Sequence, residues 1–310
     1  MNAQPPFMFA EQEDEVKSYR PIAELVPTHW HEGDIFANGI RQHYYRTGNT
    51  KKSPLLLLHG FNSYGLGWLH VAKELEGDYD IIMPDARGHG HSEGIANGFS
   101  TRLLVEDLAA LIQALKLDHP RILGLSQGGA TVLHLAAEHP ELVHSFIVEG
   151  WGVDRSPADL AKSEGFRAWS RQFYAWLQQL RTMSHEERLV AAMPYLLPVT
   201  GGKLWPEEEY VPAVEGYALF DLELAGDNSP VWTIAEQNNL TELLKRVTCP
   251  ALIMQHSFAF PAPATQPTYR EVPSEQPNIK IVYFENTGHL IHNVVFEQYM
   301  AMVRTFLQEH

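Results

Sequence analysis

The chain has 310 residues, 45% hydrophobic and 20% charged, a composition that excludes gross disorder and is long enough to bury a substantial core. Its formal net charge of −15 argues against a general affinity for phosphate backbones or anionic membranes, so no nucleic-acid or membrane partner is expected. A single cysteine, Cys249, excludes an intrachain disulfide and a thiolate metal cluster. The first thirty residues carry acids and no uninterrupted apolar segment, and no run of about 18 apolar residues occurs, so neither a secretion signal nor a membrane span is expected. The expected location is cytoplasmic.

Residues 1–33 read as an N-terminal extension of mixed polarity, with a short helix near Ile22–Leu25. RQHYYRT (41–47) alternates in polarity and suits an antiparallel strand. Short, predominantly apolar runs follow at 54–58, 80–84, 121–125 and 145–149, then at 251–254 and 279–284. Short continuous runs of this kind predict strands buried on both faces. Between them, 101–117 places Leu103, Leu104, Leu108, Leu111, Ile112 and Leu115 at a helical period, with Ser100 as its N-cap. Gln127–Glu138 and 296–308 carry the same pattern. Strands alternating with helices predict an α/β fold built on a mostly parallel central sheet flanked by helices.

The alternation stops near Trp151. Residues 152–238 hold helical patterns without a clear strand, including a capping-box start at Ser184–Glu187 and an acidic first turn after Pro206. The expected organisation is an α/β core at 34–151 and 239–310, interrupted by a helical insertion at 152–238. Residues 151–237 hold 12 of the chain's 33 aromatic residues, a mild enrichment. Packing of a small core accounts for it, and some of these rings are also candidates to line an apolar pocket.

The strongest chemical signal is Gly124-Leu125-Ser126-Gln127-Gly128, followed by Gly129. It fits a nucleophile elbow, because an apolar strand ends just before it and a helix starts just after. A sharp turn there holds the serine in a strained conformation, and the glycines let the backbones approach. The serine oxygen then projects beside a helix N-terminus, which favours negative charge. Attack on a carbonyl creates an oxyanion that needs donors in place. The Gln127 N–H is one candidate, and the Phe61 N–H in His59-Gly60-Phe61-Asn62 is the other. His59 itself reads as structural.

LLLLHGFN (55–62), MPDARGHGHSEG (83–94), GLSQGG (124–129) and NTGHLIH (286–292) together resemble the α/β-hydrolase superfamily, in particular its capped, esterase-like members. The resemblance covers about residues 35–150 and 240–310, and it makes the insertion a helical cap. It implies that His289, after the last strand, is the general base that takes the Ser126 proton and returns it to the leaving group. His292 and His256 are secondary candidates. Many relatives carry the triad acid just after the strand corresponding to 251–254, but no Asp or Glu occurs here between Leu244 and Arg270. Some members place the acid after the preceding strand instead, which points to Glu149. A glutamate ending an apolar buried strand must be paired, and Glu149 keeps the order serine, acid, histidine. Its expected contact is the His289 ring; Asp154, Asp221 and Asp227 are the rivals.

The resemblance implies a cofactor-free serine hydrolase acting on a small, apolar carboxylic ester or lactone. Carbon–carbon hydrolysis of a diketone uses the same triad and stays open, as does a non-catalytic ligand receptor on the same scaffold. Epoxide-hydrolase or dehalogenase chemistry is disfavoured, because those relatives carry an aspartate at the elbow where this chain has Ser126. No metal is expected, since no ligand set is visible at metal-binding spacing.

Overall fold

The four-leucine run at 55–58 is buried on both faces of a single eight-stranded sheet. The structure, a computed structural model, describes residues 10–150, 162–233, 240–256, 276–285 and 287–310. The strands are β1 (His31–Ala37), β2 (Ile40–Arg46), β3 (Pro54–Leu58), β4 (Asp80–Pro84), β5 (Arg121–Leu125), β6 (Ser145–Glu149), β7 (Ala251–His256) and β8 (Ile279–Phe284). Their spatial order is β1-β2-β4-β3-β5-β6-β7-β8. The β1–β2 and β2–β4 pairs are antiparallel, and every other pair is parallel.

Side chains alternate across the sheet, as a strand requires. Leu55, Leu57, Met83, Leu123, Ile147 and Met254 belong to one apolar layer. Leu56, Leu58, Ile82, Ile122, Val148 and Ile253 belong to the other. Both faces are covered by helices, so these strands read as unbroken apolar runs in the sequence. The helices of the core are α1 (Ala10–Lys17), α2 (Ile22–Leu25), α3 (Leu69–Leu75), α4 (Thr101–Ala114) and α5 (Gln127–Glu138). Ser100 caps α4 by accepting from the Leu103 N–H at 3.1 Å.

Among the described residues, the insertion after β6 contains α6 (Glu164–Leu180), α7 (His185–Leu196) and α8 (Glu207–Leu219). Ser184 and Glu187 form the reciprocal capping box at the start of α7. Phe173, Leu177, Phe220, Leu224 and Val231 pack with Ile95, Phe99 and Leu104 of the core in a third apolar cluster. Much of the aromatic content of the insertion is therefore packing. The insertion boundaries expected near Trp151 and residue 238 lie outside the described residues. The chain closes with α9 (Leu240–Leu244), the one-turn α10 (Ile291–Val294) and α11 (Phe296–Glu309).

The N-terminal segment departs from the sequence expectation. β1 begins at His31, within the stretch read as an extension, and residues 10–30 pack against the insertion. Val16, Leu25 and Trp30 are buried. The Tyr19 hydroxyl donates to the Trp205 carbonyl at 2.8 Å, the Gln12 amide donates to the Gly202 carbonyl at 2.8 Å, and Arg20 pairs with Glu207. β1 is polar because it is an outermost strand with most side chains in solvent, so backbone pairing with β2, not apolar burial, holds it.

Candidate active site

Ser126 sits between the end of β5 and the first residue of α5 with φ 51° and ψ −107°, a strained backbone for a residue with a side chain. The strain is held from three sides. The Ser126 N–H donates to the Glu149 carbonyl at 2.9 Å, and its carbonyl accepts from Ala130 at 2.9 Å. A Cβ on Gly124 would strike the Gly128 backbone, and one on Gly128 would strike the Leu58 carbonyl. The glycines of the motif are thus required by close backbone approach. Ser126 and Gln127 remain half-buried at the sheet edge where parallel strands end.

The turn after β3 lies against this elbow. A Cβ on Gly60 would sit 3.3 Å from the Leu125 side chain, so the two loops are in contact. Among the described residues, no hydrogen bond engages the N–H of Phe61 or of Gln127. His59 is fully committed to structure: its Nδ1 contacts the Gly60 carbonyl at 2.8 Å and its Nε2 accepts from the Ala86 N–H at 3.0 Å. These two bonds fix its tautomer, and burial pulls its pKa down to about 4. The Phe61 ring meets Phe220 of the insertion edge-on at 4.8 Å. Helix α8 also leans on the turn, since a Cβ on Gly216 would lie 3.0 Å from Ser63 Cα and 3.1 Å from the Asn62 carbonyl oxygen.

Gly150, which follows Glu149, packs against both Leu125 and the backbone and ring of His289. Ser126 and His289 therefore flank the same Glu149-Gly150 step. They are not hydrogen-bonded to each other among the described residues. Catalytic hydrogen bonds in unliganded enzymes are often long and tighten on substrate binding. Burial is the first cause pulling the His289 pKa down to about 4; His256 adds to it, and the charge of Glu149 opposes it.

The carboxylate contact expected between Glu149 and His289 is not what the structure has. Glu149 is completely buried, and its oxygens lie 2.8 Å and 2.9 Å from His292 Nδ1. The His292 backbone N–H donates to the same carboxylate at 3.0 Å. The reason is local. α10 is a single turn, and its second residue presents ring and backbone donors together to an anion buried away from solvent. Burial alone would raise the Glu149 pKa, but the charge and donors of His292 leave it below the usual carboxylate value. Burial likewise opposes protonation of His292, and Glu149 overrides it, so the His292 pKa is raised. The two form a buried ion pair, packed under Trp68 and Tyr299. The ring nitrogen Nδ1 of His289 instead faces His256 Nε2 at 3.4 Å.

The rival acids are engaged elsewhere. Asp221 accepts from the Glu223 N–H at 2.9 Å, and Asp227 pairs with Arg171 at 3.2 Å. Asp154 lies outside the described residues. In the loop after β4, Asp85 accepts from the Gly65 and His91 N–H groups, and burial raises its pKa to about 6. Arg87 forks onto Asp107 at 2.6 Å and 2.7 Å, also buried. Both are structural. What sequence reasoning missed is the order of importance among the histidines: the need to pair a buried Glu149 was legible, but which of three nearby histidines would meet it was not.

A sheet of this order, a strained serine at the end of its fifth strand and a histidine after its eighth define a hydrolase scaffold. Residues 53–292 match the model of the alpha/beta hydrolase fold family, and the chain belongs to it. It is 31% identical over 113 residues to epoxide hydrolase 4 of Mus musculus, a match covering 36% of this chain and 32% of that protein. Four curated relatives, this one among them, are covered over only 32–62% of their own length. Among solved structures, E-2-(acetamidomethylene)succinate hydrolase superposes with a TM-score of 0.69 at 18% identity, over 90% of this chain and all of that one. Carboxylesterase CesB of Bacillus subtilis superposes with a TM-score of 0.68 at 18% identity, over 97% and 98%. At such identities the likeness establishes the fold alone.

Proposed function

We propose that this chain is a serine hydrolase that cleaves a small, apolar carboxylic ester or lactone without a cofactor. The observation that carries the reading is Ser126, held at a positive φ between a strand end and a helix N-terminus, with the Gln127 N–H next to it and the Phe61 N–H on the turn packed against Leu125, neither engaged by any group among the described residues. In this reading the Ser126 Oγ attacks the carbonyl carbon as His289 takes its proton. The Phe61 and Gln127 N–H groups hold the oxyanion. His289 then protonates the leaving alcohol, and water cleaves the acyl-enzyme by the reverse sequence. Glu149 is the acid of the set by its charge, which favours a protonated His289. It acts from its seat on His292, not through a direct bond to His289.

The helices of 152–238 serve as the cap. Phe61, Trp169, Trp176 and Tyr217 are half-buried beside the third apolar cluster, which supports an apolar acyl or alcohol part. No helix among the described residues is long and apolar enough to cross a membrane. With one cysteine and an acidic composition, the setting we propose is the cytoplasm.

The test is reaction of the intact protein with a fluorophosphonate probe, followed by turnover on a panel of p-nitrophenyl esters, lactones and diketones. Wild type labels at Ser126, and Ser126→Ala neither labels nor turns over substrate while keeping its circular dichroism. A folded Ser126→Ala protein that still hydrolyses the best ester at a rate near wild type overturns the nucleophile assignment. Turnover confined to diketones moves the reading to carbon–carbon hydrolysis, and absence of both labelling and turnover moves it to a receptor.

A further inference from the structure

We infer that His256 stands where many relatives carry their acid, as the residue that orients His289 by accepting a hydrogen bond from its Nδ1–H. The inference deepens the serine-hydrolase reading and rests on it.

Four observations converge. His256 is the last residue of β7, and no carboxylate exists from residue 245 to 270 to take the usual place after that strand. His256 is 3% exposed, and its Nε2 lies 3.4 Å from His289 Nδ1. Strand pairing sets it there: His256 lies opposite Phe284 of β8, and Gly150 donates to the carbonyl of Met254 two residues before it. Among the described residues, the anion that acts on His289 is Glu149, and both its oxygens lie on His292.

The chemistry follows from the atoms. A neutral imidazole offers one lone pair, and here the Nε2 of His256 offers it to His289. A proton on Nδ1 of His289 leaves the lone pair on its Nε2, which is the tautomer a general base needs. When the Ser126 proton reaches that nitrogen, His289 becomes an imidazolium that still donates from Nδ1 to neutral His256. No proton passes to His256, and the Ser126 proton leaves with the alcohol. A histidine orients as a carboxylate does but adds no negative charge. The charged group that acts on His289 is Glu149, which favours its protonation; His256 would disfavour it only in its own protonated form, which has no lone pair left to accept the bond. Orientation and charge, united in one carboxylate in many relatives, are here divided between His256 and Glu149. His256 is thus a positioning residue.

The experiment compares full-length wild type, His256→Phe and His256→Asp by the rate of fluorophosphonate labelling and by the His289 titration in protein carrying carbon-13 at histidine Cε1. His256→Phe keeps a ring and removes the acceptor; it should slow labelling by about 100-fold, the low end of what a positioned base contributes. His256→Asp restores a charged acceptor; it should label within about tenfold of wild type and move the His289 titration to higher pH. A folded His256→Phe protein that labels within about threefold of wild type overturns the inference. So does a His256→Asp protein whose His289 titration does not move, a readout that holds even if His256→Phe fails to fold. Wild type that does not react with the probe at all overturns the hydrolase reading first, and this one with it.

Discussion

Glu149 and His292 are joined at 2.8 Å and 2.9 Å through the ring, and at 3.0 Å through the backbone, with both side chains almost wholly out of solvent. The carboxylate ends β6, the next residue, Gly150, packs against His289, and the histidine belongs to the turn that follows His289. The pair therefore fixes the loop that bears His289 to the sheet. Asn293 strengthens the same attachment from the other side by donating to Glu209 of α8 at 2.7 Å, and Glu209 also meets His70 at 2.7 Å.

Breaking one partner of such a pair leaves a buried charge uncompensated. Glu149→Gln and His292→Leu should each lower unfolding stability by about 3–5 kcal/mol. The double variant should be less destabilised than the sum, because no lone charge remains. Urea unfolding of the four proteins measures this. Single losses below about 1 kcal/mol, the range of an exposed pair, would contradict the buried ion pair.

The same pair sets a pH window. The folded-state pKa of Glu149 is depressed, so its contribution is present above the ordinary carboxylate value of 4.5 and is lost as pH falls through the depressed value. That of His292 is raised, so its contribution is present below 6.5 and is lost as pH rises through the raised value. Both are whole between 4.5 and 6.5. The difference in melting temperature between wild type and the double variant should be largest in that window and shrink on either side. A difference that grows steadily toward alkaline pH would refute the assignment of charge to His292.

His289 behaves in the opposite sense, because burial and His256 depress its pKa to about 4 against the pull of Glu149. A base must be neutral to accept the serine proton, so it stays competent well below the ordinary histidine value of 6.5. The acid limb of kcat/KM on a non-ionising ester should therefore lie near pH 4. A limb at 6.5 would mean that His289 is solvated as an ordinary imidazole. Depression of this pKa also favours unfolding as pH falls from 6.5 toward 4, so stability is measured alongside at each pH.

The strands that position the site were legible because both faces of β3 to β7 are covered, which forces continuous apolar runs. The elbow was legible because three glycines are needed where backbones meet. β1 was not, since a polar outermost strand is specified by backbone pairing that leaves no apolar pattern. The acid was half legible. Burial of Glu149 followed from its place in SFIVE, but the choice between His289 and His292 depends on a single turn of helix at 291–294. Nor did local sequence indicate that α8 would rest on the turn that carries Phe61.

That last contact yields a prediction in its own right. Gly216 lies in the middle of α8, buried, where a Cβ would already press on Ser63 Cα at 3.0 Å and the Asn62 carbonyl oxygen at 3.1 Å and a larger side chain has no room. Those are backbone atoms and cannot rotate aside, and Asn62 already holds a left-handed φ of 71°. A valine at 216 must push either the helix or the turn. The turn is short, closed by a single Ser63 N–H to Gly60 carbonyl bond at 3.2 Å, so it is the part that yields. In the proposed mechanism the Phe61 N–H moves with it, away from where the oxyanion would form. Loss of one such donor lowers kcat by about 10²–10³-fold. Gly216→Val should therefore approach that loss in kcat, with a smaller change in KM, while keeping its helical circular dichroism. Gly165→Ala, at an exposed site near the start of α6 with nothing closer than a serine oxygen at 3.8 Å, is the control and should turn over as wild type does. Equal kcat values for Gly216→Val and Gly165→Ala would show that the cap and the oxyanion turn are not coupled through this contact.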